Sequence, residues 1–144
     1  MSGQGGAMRA MTRADRMPCF TMRQTVHENR RDISFADYAA ASDLYIDRGD
    51  CAVWDDHGRI LGEATVDRET GVVEGLYVDA AAQGRGIGSA LLDRCCDTLF
   101  RLGHHEARLS TMTGTRAEAF YLKRGFVTHK MEGSDTAFMR RSLD

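Results

Sequence analysis

Val72-Val73-Glu74-Gly75-Leu76-Tyr77-Val78, then Gln83-Gly84-Arg85-Gly86-Ile87-Gly88 and Ser89-Ala90-Leu91-Leu92, is the stretch that decides how this chain folds. The first run is apolar and reads as an extended strand. After the glycines, Ile87, Leu91, Leu92, Cys95, Leu99 and Leu102 fall on one helical face. Strand, glycine-rich turn, helix is the context in which a glycine cluster predicts a phosphate site. Glycine reaches positive φ and lets a ligand approach the backbone closely. The first amides of a helix lack intrahelical partners and sit at the positive end of its dipole. Arg85 adds a full positive charge.

Three phosphate-binding patterns use such a turn. A Walker loop ends in Gly-Lys-Ser/Thr, and that ending is missing. The dinucleotide fingerprint G-x-G-x-x-G needs its third glycine one residue later than Gly88. In the third pattern, Gln/Arg-x-x-Gly-x-Gly/Ala, Gln83, Gly86 and Gly88 match in register. This resembles the acyl-CoA pyrophosphate loop of the GNAT N-acetyltransferase superfamily. Downstream, Ala117-Glu118-Ala119-Phe120-Tyr121-Leu122-Lys123-Arg124-Gly125-Phe126 is similar to the same superfamily's Ala-x-x-Phe-Tyr-x-x-x-Gly-Phe. Between the two lies room for one helix and one strand. A glycine turn that serves packing alone leaves the second match unexplained.

A chain of 144 residues, 42% hydrophobic and 28% charged, is expected to be one soluble globular domain. The division expected is 1–18 as a disordered lead-in, with three Gly and four Met and no periodicity, and 19–144 as a single acetyltransferase-like domain. No apolar stretch long enough to span a membrane and no secretory h-region is visible, so no membrane partner is expected. Cys19, Cys51, Cys95 and Cys96 show no Cys-x-x-Cys spacing, which argues against metal and disulfides and for a cytoplasmic location. Residues 28–69 are acid-rich, with eleven acids against five bases. That reads either as solvated surface or as a rim for a cationic amine. No basic stripe with interleaved aromatics is present, so nucleic acid is not an expected partner.

Along the chain, Cys19–Gln24 reads as the first strand. His27 to Asp47 reads as a helix stopped by Gly49. Ala52–Trp54 and Arg59–Val66 form a hairpin across Asp55-Asp56-His57-Gly58, and 72–78 is the next strand. The helix after the glycine loop ends near Leu102 with Gly103 as its cap. Ala107–Met112 is a strand, and Thr115 with Glu118 predicts a capping box for the helix carrying Tyr121. Val127–Met131 and Ala137–Arg141 close the chain as a hairpin. The order predicts an α/β (α+β) fold: one mixed, largely antiparallel sheet of six to seven strands with helices on both faces. That order is similar to the GNAT fold. Residues 25–51, between the first two predicted strands, are short for the two helices the family often places there.

The resemblance implies direct acetyl transfer from acetyl-CoA to a primary amine, either a small cationic amine or a peptide amine. The alternative is a non-catalytic acyl-CoA-binding sensor. The implied cofactor set is Gln83, Gly84, Arg85, Gly86, Ile87, Gly88 and Ser89 for the pyrophosphate. Leu76, Tyr77 and Val78 would pair with the pantetheine as an added strand. Phe120, from the second motif, belongs to the same implied set. Thr115 (or Thr113) would stand in for a family Asn, since Gly114 occupies that position. By the same resemblance Tyr121 is the general acid; its ring could equally be core packing. A lysine-like amine costs roughly 4.6 kcal/mol to deprotonate at pH 7, an α-amine only about 1. Glu74, an acid in an apolar strand, is the candidate base, expected on the face of Leu76 and Val78 where burial would raise its pKa. It could equally face solvent. Tyr38, Asp43 and Tyr45 are candidates for an acceptor pocket, and a homodimer is a further implication of the resemblance.

Overall fold

The strands are β1 (Ala7–Ala10), β2 (Cys51–Asp56), β3 (Arg59–Asp67), β4 (Val72–Val78), β5 (Glu106–Met112), β6 (Val127–Glu132) and β7 (Asp135–Arg141). The helices are α1 (Arg16–Arg23), α2 (Phe35–Arg48), α3 (Ile87–Arg101) and α4 (Arg116–Lys123). The computed structural model describes residues 6–26 and 32–143. One seven-stranded sheet runs β1-β2-β3-β4-β5-β7-β6. Every neighbouring pair is antiparallel except β4 with β5. The mixed, mostly antiparallel sheet with helices on both faces is as the element order predicts.

Two separate cores hold the layers together. Leu61, Ala64 and Val66 of β3 meet Ile87, Leu91, Leu92, Cys95 and Leu99 of α3, and Tyr121, Phe126 and Phe138 complete that side. Gly62 lets α3 come close: a Cβ there would lie 2.7 Å from Leu91 Cδ1. On the opposite face Met11, Cys19, Tyr38, Cys51, Val53 and Ile60 pack with Phe20, Phe35, Tyr45 and Ile46. The β2–β3 turn takes positive φ at His57 (52°) and Gly58 (95°), the backbone that a two-residue hairpin loop requires. Gly103 (φ 101°) follows the end of α3 as expected.

The N-terminal third corrects the sequence reading. The expected disordered lead-in contains β1, and residues 1–5 lie outside the described residues. Cys19–Gln24 is not a strand: it belongs to α1 and its C-terminal cap. Pro18 stands in the first turn of α1, where its missing N–H costs no hydrogen bond. Cys19 and Met22 are the buried pair, one helical turn apart. The predicted helix from His27 begins at Phe35, and 27–31 are outside the described residues. Residues 11–50 therefore separate the first two strands and hold two helices. The capping box at α4 is also different. Thr115 makes no side-chain cap bond, and Glu118 accepts from the Gly114 N–H instead.

β1 is held by tertiary contacts rather than by pattern. Arg9 donates to both oxygens of the buried Asp15, at 2.7 and 2.8 Å, and to Asp55 at 3.0 Å. The Arg9 hydrogen bonds hold the Asp15 carboxyl below its usual range, with burial opposing. Deleting residues 1–12 removes Met11 from its core and leaves Asp15 without Arg9. That should cost about 3 kcal/mol or more and lower Tm by roughly 10 °C. A thermal melt unchanged by the deletion would return the segment to a lead-in without structural role.

Candidate active site

β4 and β5 share a single register pair, Val72 with Arg108, backed by Arg108 N–H to Gly71 C=O at 3.0 Å. Beyond it the strands part. The cleft between them measures about 890 Å³ and is lined from both faces of the sheet. β4 keeps β3 on its other side, with Ala64 opposite Leu76, Glu63 opposite Tyr77 and Gly62 opposite Val78. Among the described residues its cleft edge therefore has no strand partner past Val72, and such an edge can take an extended ligand. Leu76, Tyr77 and Val78 all line the cleft.

The glycine loop closes one end. Asp79 caps a single 3-10 turn by accepting from Ala81 N–H at 2.9 Å. Gly84 and Gly86 then take φ of 82° and 84°, which other residues rarely adopt. Gly86 is the N-cap of α3 and offers no side chain, so the first α3 amides keep their donors for a ligand. Gln83, Gly84, Ile87 and Gly88 line the cleft, whereas Arg85, Gly86 and Ser89 do not. The Arg85 guanidinium turns back to Ala81 C=O at 3.4 Å. A Cβ on Gly88 would touch Val78 Cγ2 at 3.4 Å and Phe120 Cζ at 3.5 Å, so this glycine sets the spacing of α3, β4 and α4. Such a loop fits a pyrophosphate.

α4 forms the floor. Phe120 and Tyr121 both line the cleft. The Tyr121 ring also packs against Phe120, Phe126 and Phe138, with centroids 5.4, 5.8 and 6.1 Å away. Packing and cleft exposure are thus combined in one residue. Burial pushes its phenol up to about 12, with the Cys95 and Tyr77 groups adding to the shift. Arg116, which the sequence reading passed over, donates to Gln83 Oε1 at 2.8 Å and ties α4 to the glycine loop. Neither threonine proposed to replace the family Asn reaches the cleft. Thr113 Oγ1 pairs with Thr136 Oγ1 at 2.8 Å, and Thr115 Oγ1 donates to Met112 C=O at 2.9 Å. Ser110, Thr111 and Met112 line the cleft in their place.

The far end lies under α1 and α2. Arg23 Nε donates to Glu63 Oε1 at 2.6 Å, and the Tyr38 hydroxyl donates to Glu63 Oε2. Glu63 is only 2% exposed. The Arg23 guanidinium lies 4.6 Å from the Tyr38 ring centroid and 4.2 Å from that of Tyr77. Burial opposes its charge, but Glu63 and the tyrosines more than compensate, and its pKa is raised. The Tyr38 phenol is pushed far up, first by burial and then by Glu63. Sequence reading missed both Arg23 and Glu63. A charge inside the apolar run Ile60-Leu61-Gly62-Glu63-Ala64 was the available signal.

Glu74 is exposed, not buried beside Leu76 and Val78. The register shifts so that Thr65 faces Gly75 and Val66 faces Val73, leaving Glu74 as the extra residue of a β-bulge. It lines the cleft near Tyr45, whose pKa is raised by burial first and then by Glu74. The expected burial of Glu74, and the basicity argued from it, is therefore overturned. Tyr38 and Tyr45 line the cleft, but Asp43 pairs with Arg16 at 2.9 Å and Arg13 at 3.4 Å outside it. Burial pushes Cys95 up to about 12 and Cys96 up to about 11, so neither is a thiolate at neutral pH. Among the described residues no group of three or more His, Cys, Asp or Glu could hold a metal ion.

Residues 10–126 match the model of the acetyltransferase (GNAT) family. No curated protein matches the sequence. Among solved structures, Ard1 from Thermoplasma volcanium superposes with a TM-score of 0.84 at 20% identity, covering 98% of this chain and 100% of that one. The ribosomal-protein-S18-alanine N-acetyltransferase from Escherichia coli gives 0.76 at 16% identity, covering 94% and 93%. The structure of yncA from Salmonella typhimurium with its cofactor acetyl-CoA gives 0.75 at 22% identity, covering 98% and 95%.

Replacing Glu63 by Ala would leave the Arg23 charge buried without its partner. The expected cost is about 3–5 kcal/mol in urea denaturation. A loss under about 1 kcal/mol would mean that Arg23 is solvated and the cluster is not a coupled unit.

Proposed function

The chain belongs to the GNAT acetyltransferase family, whose enzymes use acetyl-CoA, and on that premise we propose that it transfers the acetyl group to a primary amine with Tyr121 as general acid. The observation that carries this reading is the cleft between β4 and β5, with the glycine loop at one end and Tyr121 on its floor. The α3 amides and the glycine loop hold the pyrophosphate, and the open edge of β4 takes the pantetheine. Arg116 and Gln83 border the same entrance.

In the transfer the amine nitrogen forms a bond to the thioester carbonyl carbon and the carbon–sulfur bond breaks. The amine gives up one proton and the departing sulfur gains one. In this reading Tyr121, protonated up to about pH 12, donates to that sulfur. A thiol of ordinary pKa near 8.5 makes complete transfer uphill by about 5 kcal/mol. The Tyr121 hydrogen bond therefore stabilises the sulfur first, and the proton crosses as the bond breaks. Glu74, on the bulge where β4 meets the acceptor end, takes the amine proton directly or through water. Its exposure favours the second route. A sensor that only binds acyl-CoA has no use for the phenol in the cleft.

Two further readings belong here. Four free cysteines support a reducing, cytoplasmic setting. No helix among the described residues is long and apolar enough to cross a membrane. β6 forms a sheet edge with Val127 and Met131 exposed, which supports a homodimer along it.

Tyr121→Phe should lower kcat by roughly 10–1000-fold while the calorimetric Kd for acetyl-CoA changes less than about threefold. The wild-type kcat should show no basic limb from Tyr121 up to pH 10. An unaltered kcat removes Tyr121 from the mechanism, and no acetyl-CoA binding removes the cofactor assignment. Glu74→Gln should erase the acidic limb of the kcat/KM profile and slow the reaction by roughly 10–100-fold. An unchanged profile would reject the base role.

A further inference from the structure

The pyrophosphate that the glycine loop fits is an anion, and the loop's own cation is turned away from the cleft. We infer that Arg116, at the start of α4, is the residue that meets this charge: its guanidinium binds the donor's pyrophosphate in place of Arg85. This rests on the acetyl-CoA reading above and adds to it a residue that neither sequence motif contains.

Elimination among the cations comes first. Arg85, the charge that the sequence puts at the turn, does not line the cleft, and its guanidinium is directed at Ala81 C=O at 3.4 Å. Among the described residues the cations that line the cleft are Arg23 and Arg116. Arg23 belongs to the far end and is paired with Glu63 at 2.6 Å. Arg116 belongs to the glycine-loop end, where its Nη2 donates to Gln83 Oε1 at 2.8 Å. Gln83 stands directly before Gly84, and both line the cleft.

The packing of α4 turns Arg116 the same way. Phe120 is one helical turn on from Arg116 and shares its face. A Cβ on Gly88 would lie 3.5 Å from Phe120 Cζ, so that face of α4 rests on the first turn of α3. Ile87 and Gly88 of that turn line the cleft together with Arg116. The α3 start has no side-chain cap, so its amides and the Arg116 guanidinium border one space.

The chemistry of Arg116 suits a phosphate. It stands in the first turn of α4, at the positive end of the helix dipole, where a cation is least favoured. Local preferences of this kind are broken most often at functional positions. A guanidinium has five N–H donors, and the bond to Gln83 ends on a neutral amide oxygen. A phosphate oxygen is the stronger acceptor, because both partners are then charged, and the planar fork can take two such oxygens at once. A donor held at Arg116 is also registered on the helix that bears Tyr121.

Calorimetric Kd values for three donors test this: acetyl-CoA, acetyl-dephospho-CoA, which lacks the ribose phosphate but keeps the pyrophosphate, and acetyl-pantetheine, which has no phosphate. Arg116 is exposed, so Arg116→Gln should keep the fold, and a thermal melt without ligand checks it. The variant should bind acetyl-CoA and acetyl-dephospho-CoA about 10- to 100-fold more weakly, and acetyl-pantetheine within about twofold of wild type. Arg116→Lys, which keeps the charge without the fork, should recover part of the loss. An unchanged acetyl-CoA Kd in Arg116→Gln overturns the proposal and leaves the acetyl-CoA reading standing. A loss that acetyl-dephospho-CoA does not share puts Arg116 on the ribose phosphate and also overturns it. A loss that extends to acetyl-pantetheine does the same, since Arg116 then shapes the cleft wall instead. A larger loss in Arg85→Gln than in Arg116→Gln returns the role to the loop cation. If the wild type binds none of the three donors, the acetyl-CoA reading falls and the assignment falls with it.

Discussion

Among the described residues a single parallel pair, Val72 with Arg108, is the backbone ladder between the two halves of the sheet at its centre. Were β4 and β5 zipped along their length, the sheet would be continuous and the 890 Å³ cleft would vanish. Each side of the gap is secured from behind. β4 is paired with β3 from Val72 to Val78, and β5 is paired with β7 from Glu106 to Met112. Because both strands already have a full partner, neither needs the other, and the gap costs only one row of backbone hydrogen bonds.

The second constraint is the charge buried at the end of the cleft under α1 and α2. Glu63 sits in a strand whose neighbours are apolar, and it is tolerable there only because Arg23 and Tyr38 satisfy both oxygens. Three elements, α1, α2 and β3, are thereby locked to one another at the cleft wall. The bulge at Glu74 does complementary work. It keeps Val73, Leu76 and Val78 against the α3 core and turns Gly75 and Tyr77 toward Arg23.

The central and C-terminal elements were legible because their signals are local. Glycine punctuation at 84, 86 and 88 and the 3.6-residue period from Ile87 to Leu99 arise within one segment. The N-terminal third was not, because its signals are tertiary. Four residues of β1 carry no alternation worth reading, and they are held by Arg9 reaching Asp15 and Asp55. Pro18 read as a break ahead of a strand, although a first helical turn accepts proline equally well. The site divides in the same way. Tyr121 and the glycine loop could be found from motif spacing. Arg23 and Glu63 are 40 residues apart in sequence and meet only through the fold. Glu74 was misplaced because strand alternation holds only where no bulge intervenes.

The helices on the two faces belong to cores that share no residue, one built on α3 and the other on α1 and α2. The two cores nevertheless sit on opposite faces of the same strands, β2 and β3, and are tied across the sheet: Arg23 of α1 lies 4.2 Å from the Tyr77 ring centroid, and Thr25 Oγ1 accepts from Ala80 N–H at 3.1 Å, just ahead of the glycine loop. Neighbouring groups of this kind do not contribute to stability independently. Changes in α1 are therefore felt at β4 and at the approach to the glycine loop, so the tolerance of one face to mutation depends on what the other already carries.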